Sequence, residues 1–272
     1  MVYGSSGVPS DRATEPRGGL AHVSAGVHGW RRVTPVVVNR GYTSGHTVNL
    51  WAEHLLPRVV DRLLTSVDVT RRRRQAIVGL HGRVVEIGFG AGPNVPLYPA
   101  AVTSVDAVEP SAVARRLAAD RLANSSVEVT FVGLDGQDLP LADHSCDSGL
   151  TTFTLCTVPD PDRALRELRR VLRPGSVLHV LEHGLSPDPR TARWQHRLNP
   201  LERALAGGCN LDRPVDRLLT GAGFTLEHLS THQLRGPRVS RPWGHLTVAR
   251  ARTPSTGEDH TATPSSDADN TR

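Results

Sequence analysis

The residues of this chain best suited by type and spacing to chemistry are Val84-Val85-Glu86-Ile87-Gly88-Phe89-Gly90-Ala91-Gly92. A short apolar run ends in three glycines at alternate positions. A carboxylate, Glu109, follows about twenty residues later, at the close of a second apolar run. Glycine carries no Cβ and tolerates unusual dihedrals, so backbone can pass close beneath a ligand. A carboxylate has two acceptor oxygens, enough for both hydroxyls of a ribose. These are the parts of a nucleotide-type cofactor site in a parallel α/β sheet. The spacing departs from a dinucleotide fingerprint, which needs two residues between its second and third glycines and a helix directly after. Here one residue intervenes, and Pro93 and Pro96 follow. Asp106, three residues before Glu109, is a rival acid in the same run. A plain exposed carboxylate is the alternative for either.

The elements that must position these groups follow from periodicity. Residues 49–65 have near-helical apolar spacing, interrupted by Pro57, and a basic helix is expected at about 70–80. Strands are expected at about 82–87, 102–108, 127–132, 145–153 and 176–181. Helices are expected at 112–123, rich in Ala, Leu and Arg, and at 160–172. In the second, Asp160 or Asp162 stands where an N-cap belongs, and Pro174-Gly175 marks the stop. Residues 190–205 and 214–220 read as helices, and 224–232 and 243–251 as two final strands. Alternating strand and helix imply a parallel sheet covered by helices on both faces.

Composition bounds the rest. Of 272 residues, 1–42 and 253–272 are polar and low in apolar period, and are expected to be disordered. The domain is expected at 43–252, with an ample core. The net charge of +5 invites a nucleic-acid reading, but every Lys/Arg cation is Arg and they are scattered, apart from Arg71-Arg72-Arg73-Arg74. No aromatic residue interleaves that run, so nucleic acid is disfavoured and a solvated helix start or linker is the plain reading. Cys146, Cys156 and Cys209 make neither a disulfide framework nor a zinc spacing, and the histidines show no metal-ligand spacing, so no metal is expected. With no apolar signal core and no run of the roughly 18 apolar residues a span needs, a reduced, cytoplasmic location is expected.

The motifs together resemble class I S-adenosylmethionine-dependent methyltransferases. Glu86 to Gly92 looks like their first motif, and Glu109 stands at the position of their ribose-binding acid. Asp135-Gly136-Gln137-Asp138-Leu139-Pro140 resembles their adenine segment, with Gly in place of the usual Ala. Leu165 to Gly175 (LRELRRVLRPG) resembles the helix and turn before strand five in the ubiquinone and menaquinone methyltransferase branch. Leu155-Cys156-Thr157-Val158, Glu182-His183, Gly208-Cys209-Asn210-Leu211 and the Trp243 strand resemble the methyltransferase-like thiol S-methyltransferases and their bacterial relatives. One departure is that the membrane-associated members carry an apolar N-terminal anchor, where this chain has a polar Gly/Ser/Arg segment.

The resemblance implies a seven-stranded Rossmann-like sheet, mostly parallel, with an antiparallel C-terminal strand. It implies S-adenosylmethionine as cofactor and a small-molecule methyl acceptor. Gly88, Gly90 and Gly92 would pass beneath the methionyl and ribose parts, and Glu86 would steady the loop or meet the cofactor amine. Glu109 would accept from the ribose. Asp135 would accept from the adenine amino group and the Gly136 N–H would meet a ring nitrogen. Asp138 is the alternative acid, and turn capping is the alternative role for Asp135. Thr152 and Phe153 would line the sulfonium end, with core packing as the alternative.

His183 ends strand five at the ligand-binding edge and has a pKa suited to proton removal, so it is the candidate general base; a polar strand cap is the alternative. Cys209 and Asn210 are further candidates for substrate contact. A thiol acceptor comes first and a quinone-type carbon acceptor next, with oxygen and nitrogen acceptors open. An NAD-dependent oxidoreductase is the rival outside the class, and the glycine spacing speaks against it.

Overall fold

β-branched residues bounded by Gly82 and Gly88 make Gly82–Ile87 the central strand, β1, of a computed structural model that describes Arg58, Asp61, Arg62 and residues 64–255. The segment expected at 1–42, most of the helix expected at 49–65 and the tail beyond Ser255 lie outside the described residues. Arg58, Asp61, Arg62 and Leu64 are helical.

The remaining strands are β2 (Val102–Val108), β3 (Glu128–Gly133), β4 (Cys146–Thr152), β5 (Leu172–His183), β6 (Thr225–Gln233) and β7 (His245–Arg252). The helices are α1 (Val67–Ala76), α2 (Ala112–Leu117), α3 (Ala119–Ala123), α4 (Pro161–Val171), α5 (Pro189–Leu205) and α6 (Val215–Gly221). One seven-stranded sheet runs β3-β2-β1-β4-β5-β7-β6. Neighbours from β3 through β5 pair in parallel, and β7 is antiparallel to both β5 and β6, so the expected fold class is observed.

Strand alternation sends successive side chains to opposite faces. Val85, Ile87, Leu178 and Val180 pack with Leu165 and Leu168 of α4 and Leu219 of α6. Val84, Val105, Ala107 and Leu150 pack with Ile77, Leu80 and Ala118 on the other face. Asp160, not Asp162, is the N-cap of α4; its carboxylate accepts from the Arg163 N–H at 2.9 Å, with Pro161 in the first turn.

Several boundaries differ from expectation, and α1 spans Val67–Ala76 rather than about 70–80. The helix expected at 112–123 divides at the buried Ala118, whose N–H reaches both Ala114 O and Arg116 O. The strand expected at 176–181 begins at Leu172, directly after α4. The helix has already ended at Val171, and Pro174-Gly175 only bulges the strand: pairing with β4 steps from Cys146↔Leu172 to Ser148↔Val177, and Gly175 takes a φ of +77°.

The chain leaves β1 toward β2 and β3 on one side and returns to β4 and β5 on the other. In such sheets the crevice for ligands opens outside the carboxyl ends of the strands at this reversal.

Candidate functional site

A cavity of about 400 Å³ opens where that rule puts it. Its wall includes Gly88 and Gly90 after β1, Glu109 after β2, Asp135 and Gly136 after β3, and Thr152 and Phe153 where β4 ends. Four separate segments of the expected site thus converge at one edge. Glu86, Gly92 and His183 belong to its surroundings and do not line it.

Two glycines are required for distinct reasons. Gly88 has φ +71°, and a Cβ there would collide with the Thr154 side chain. Gly90 has φ +60°, and a Cβ there would meet nothing within 4 Å. What Gly90 provides is the left-handed backbone and clear space on the cavity side.

That backbone aims the Gly90 N–H at Glu109 Oε2, 2.7 Å away, while Ser111 N–H donates to Oε1, also at 2.7 Å. Glu109 is 7 % exposed. Burial pushes its pKa up and these two N–H donors pull it down, with a net rise. One hydrogen bond to each oxygen leaves lone pairs for a ligand's hydroxyls. The rival, Asp106, is occupied elsewhere: Arg83 Nε lies 2.6 Å from its Oδ2.

Asp135 makes an Asx-type turn. Its Oδ1 accepts from the Gln137 N–H at 2.8 Å and from Gln137 Nε2 at 2.9 Å. This is the turn-capping role, and Asp135 also lines the cavity. Asp138 does not line it.

Phe153 is a non-glycine residue at φ +57°, a sparsely populated conformation for a bulky side chain. Its ring sits under the Arg73 guanidinium, 5.2 Å from centroid to Cζ, and edge-on to His183 with centroids 5.0 Å apart. Arg73 belongs to the run read as solvated, and this is a correction: it is 2 % exposed and lines the cavity. Helical spacing turns Arg73 inward, while Arg71 and Arg74 remain exposed.

Inside, Arg73 Nη1 donates to Thr152 Oγ1 at 2.8 Å and to Asn94 Oδ1 at 3.0 Å. Asn94 Nδ2 donates to Glu86 Oε1 at 2.8 Å, and Tyr98 OH donates to Glu86 Oε2. Glu86 is fully buried, which raises its pKa to about 7 against the pull of Tyr98, Asn94 and Arg73. Burial also lowers Arg73 to about 10. Glu86 therefore braces the loop from beneath.

His183, the candidate general base, stands at the end of β5. Its Nδ1 faces two sulfurs, Cys209 Sγ at 3.8 Å and Cys156 Sγ at 3.9 Å. Cys156 and the His183 imidazole hold the Cys209 thiol down, to about 5. For His183 the largest influence, burial, lowers the pKa, but the hydrogen bond and charge of Cys209 outweigh it and the net shift is upward. Asn210 binds no cavity wall; its N–H and Nδ2 both donate to Cys156 O, at 2.7 and 3.0 Å. Glu182, fully buried, accepts from the N–H groups of Thr154 and Leu155 at 2.9 Å and of Cys156 at 3.3 Å. Only its pairing with His183 in sequence pointed to it.

With this geometry in place, the comparisons agree on one kind of protein. A family model described as "Methyltransferase domain" matches residues 85–180. The human thiol S-methyltransferase TMT1B is 34% identical over 157 residues, 56% of this chain and 64% of that protein. The human thiol S-methyltransferase TMT1A is 32% identical over 165 residues, 57% and 67%. The ubiquinone/menaquinone biosynthesis C-methyltransferase UbiE of Syntrophotalea carbinolica is 31% identical over 166 residues, 57% and 69%. The chain therefore spans about two thirds of the length of these relatives, and just under two thirds of TMT1B. Among solved structures, a SAM-dependent methyltransferase of Thermotoga maritima, described as a possible histamine N-methyltransferase, superposes with a TM-score of 0.54 at 26% identity, covering 74% of this chain and 99% of that one.

Proposed function

The chain belongs to the S-adenosylmethionine-dependent methyltransferases, and we propose that it transfers the methyl group of S-adenosylmethionine to a small-molecule acceptor, a thiol first. The observation that carries this reading is Glu109 in the cavity wall, braced by the Gly90 and Ser111 N–H groups with lone pairs to spare. Bound S-adenosylmethionine supplies a sulfonium methyl group open to in-line displacement.

The chain's own residues bind and orient. In this proposal Glu109 accepts from both ribose hydroxyls. Gly88 and Gly90 let backbone lie under the methionyl and ribose parts, and Gly92 and Glu86 keep that loop in shape. Asp135 accepts from the adenine amino group and the Gly136 N–H meets a ring nitrogen. Thr152 and Phe153, held by Arg73, flank the sulfonium end. Positioning of this kind can supply roughly 7–11 kcal/mol of a barrier in ideal cases. His183, with Cys156 and Cys209, is the group proposed to take the acceptor's proton.

A thiol acceptor is supported by the two human relatives, which are named thiol S-methyltransferases. Chemistry supports it too, because a thiolate is a strong nucleophile that needs little beyond a dry, oriented site. A quinone-type carbon acceptor is the second reading, on the likeness to the C-methyltransferase. No helix among the described residues is long and apolar enough to cross a membrane, and Cys146, Cys156 and Cys209 are free thiols. A reducing, cytoplasmic setting is part of the proposal.

Calorimetric titration with S-adenosylmethionine, S-adenosylhomocysteine and NAD tests it. Micromolar binding of the first two and none of NAD is the expected result, followed by turnover on small alkyl thiols. NAD binding with no affinity for either sulfur compound would overturn it.

A further inference from the structure

We propose that Cys156, His183 and Cys209 form a three-ligand site for a thiophilic d10 cation, Zn²⁺ first. They come from three separate places: the loop after β4, the end of β5 and the turn after α5. Their ligand atoms all lie within 4.8 Å of one another. His183 Nδ1 is nearly equidistant from the two sulfurs, at 3.8 and 3.9 Å.

On a tetrahedral zinc with Zn–S near 2.3 Å and Zn–N near 2.0–2.1 Å, ligand atoms stand about 3.5–3.8 Å apart. The two N···S distances need to contract by only a few tenths of an ångström to reach that geometry, and the two sulfurs, within 4.8 Å of each other, by at most about 1 Å. A plain packing contact between two thiols would not bring an imidazole nitrogen to face both.

The ligands are also held. Glu182 grips the Cys156 backbone through three consecutive N–H groups, and Asn210 ties the Cys209 turn to Cys156 O. Both thiols are buried, at 2 % and 6 % exposed. Two thiolates and a neutral imidazole would balance the charge of a dication, which removes the cost of burying it. Among the described residues no fourth Cys, His, Asp or Glu joins the group. Three protein ligands with one open position is the arrangement of reactive rather than structural zinc. Phe153, Thr157 and Gly207, neighbours of the cluster in space or sequence, line the cavity. With the ion bound, His183 acts as a ligand rather than a proton acceptor. A thiol taking the open position would bind as thiolate and release its proton to solvent.

The site stands on this cluster and not on the reading of the cavity. The test uses the full chain, reduced and stripped of metal by a chelator. Co²⁺ is the probe, followed by its thiolate-to-metal absorption band, and Zn²⁺ is then added to displace it. One equivalent of Co²⁺ with a two-thiolate band, lost in Cys156→Ser and Cys209→Ser, weakened at least ~10-fold in His183→Gln and kept in Cys146→Ser, is expected. Band intensity counts the thiolate ligands, so the wild-type spectrum decides even if a variant fails to fold. No thiolate band, or one that survives both serine variants, would overturn the site. S-adenosylhomocysteine is titrated in the same samples. Binding of that ligand without cobalt sinks the metal site alone, and cobalt without that ligand sinks the methyl-transfer reading alone.

Discussion

Arg73 and Glu86 are opposite charges buried in the same core, and they meet through Asn94. The guanidinium donates to Asn94 Oδ1 at 3.0 Å, and Asn94 Nδ2 donates to Glu86 Oε1 at 2.8 Å. One amide thus compensates both ions, and the chain of contacts runs from α1 under the glycine loop to the cavity floor at Thr152.

Removing one member strands the other. Arg73→Met keeps the volume of the aliphatic stem but leaves Glu86 without its cation and Phe153 without its stacking partner. At about pH 8, where Glu86 is ionised, the expected loss is about 3–5 kcal/mol, the cost of an uncompensated buried charge, and it shrinks at lower pH as Glu86 takes up its proton. Urea unfolding measures it. A loss below about 1 kcal/mol would mean that water, not Arg73, solvates the carboxyl.

Glu86 makes stability depend on pH. In the folded protein it keeps its proton up to about pH 7, against 4.5 for the free group. Between these values the folded state binds more protons than the unfolded chain, so its contribution is fully present below about 4.5 and is lost as pH rises through about 7. Glu86→Gln removes the titration and retains the partners. The stability of wild type relative to Glu86→Gln should therefore fall by about 1–3 kcal/mol from pH 4.5 to pH 8. Parallel pH profiles of thermal unfolding would show that Glu86 titrates normally.

At Glu109 the effect belongs to binding. In the proposed complex Glu109→Ala removes two charge-assisted hydrogen bonds to a ribose, each worth about 1.5–3 kcal/mol, so the affinity for S-adenosylhomocysteine should drop at least ~100-fold. Far-ultraviolet circular dichroism should be unchanged. Calorimetry that finds wild-type affinity would remove Glu109 from the cofactor site.

Gly90→Ala and Gly88→Ala should part company. At Gly90 the added methyl meets open space, so the fold loses only the roughly 1–2 kcal/mol of a left-handed alanine, while the ligand loses its approach. At Gly88 the methyl strikes Thr154, so the fold itself should suffer more. The ratio of lost affinity to lost stability, from calorimetry and urea melts on both variants, should be larger for Gly90→Ala. Equal ratios would mean that the ligand does not pass over Gly90.

Most of the strands, and the glycine loop with its distant acid, were legible because contiguous residues carry the signal. β1 is an apolar run stopped by Gly88, and β2 is one stopped by Glu109-Pro110. Pro174-Gly175 misled as a strand boundary because a stop for a helix is only a bulge for a strand whose neighbour can step its register. Asp106 and Glu109 could not be separated by type; a single ion pair with Arg83 separates them.

By itself the sequence determined the strand and helix order, the glycine loop and the acid that follows it, since each depends on residues close together along the chain. The tertiary structure alone decided that Arg73 is interior and that His183 faces two thiols. Those contacts join residues 79 positions apart for Arg73 and Thr152, 27 for Cys156 and His183, and 26 for His183 and Cys209. No periodicity or motif spacing spans such distances. Burial and convergence arise only when the sheet brings separate strand ends to one edge.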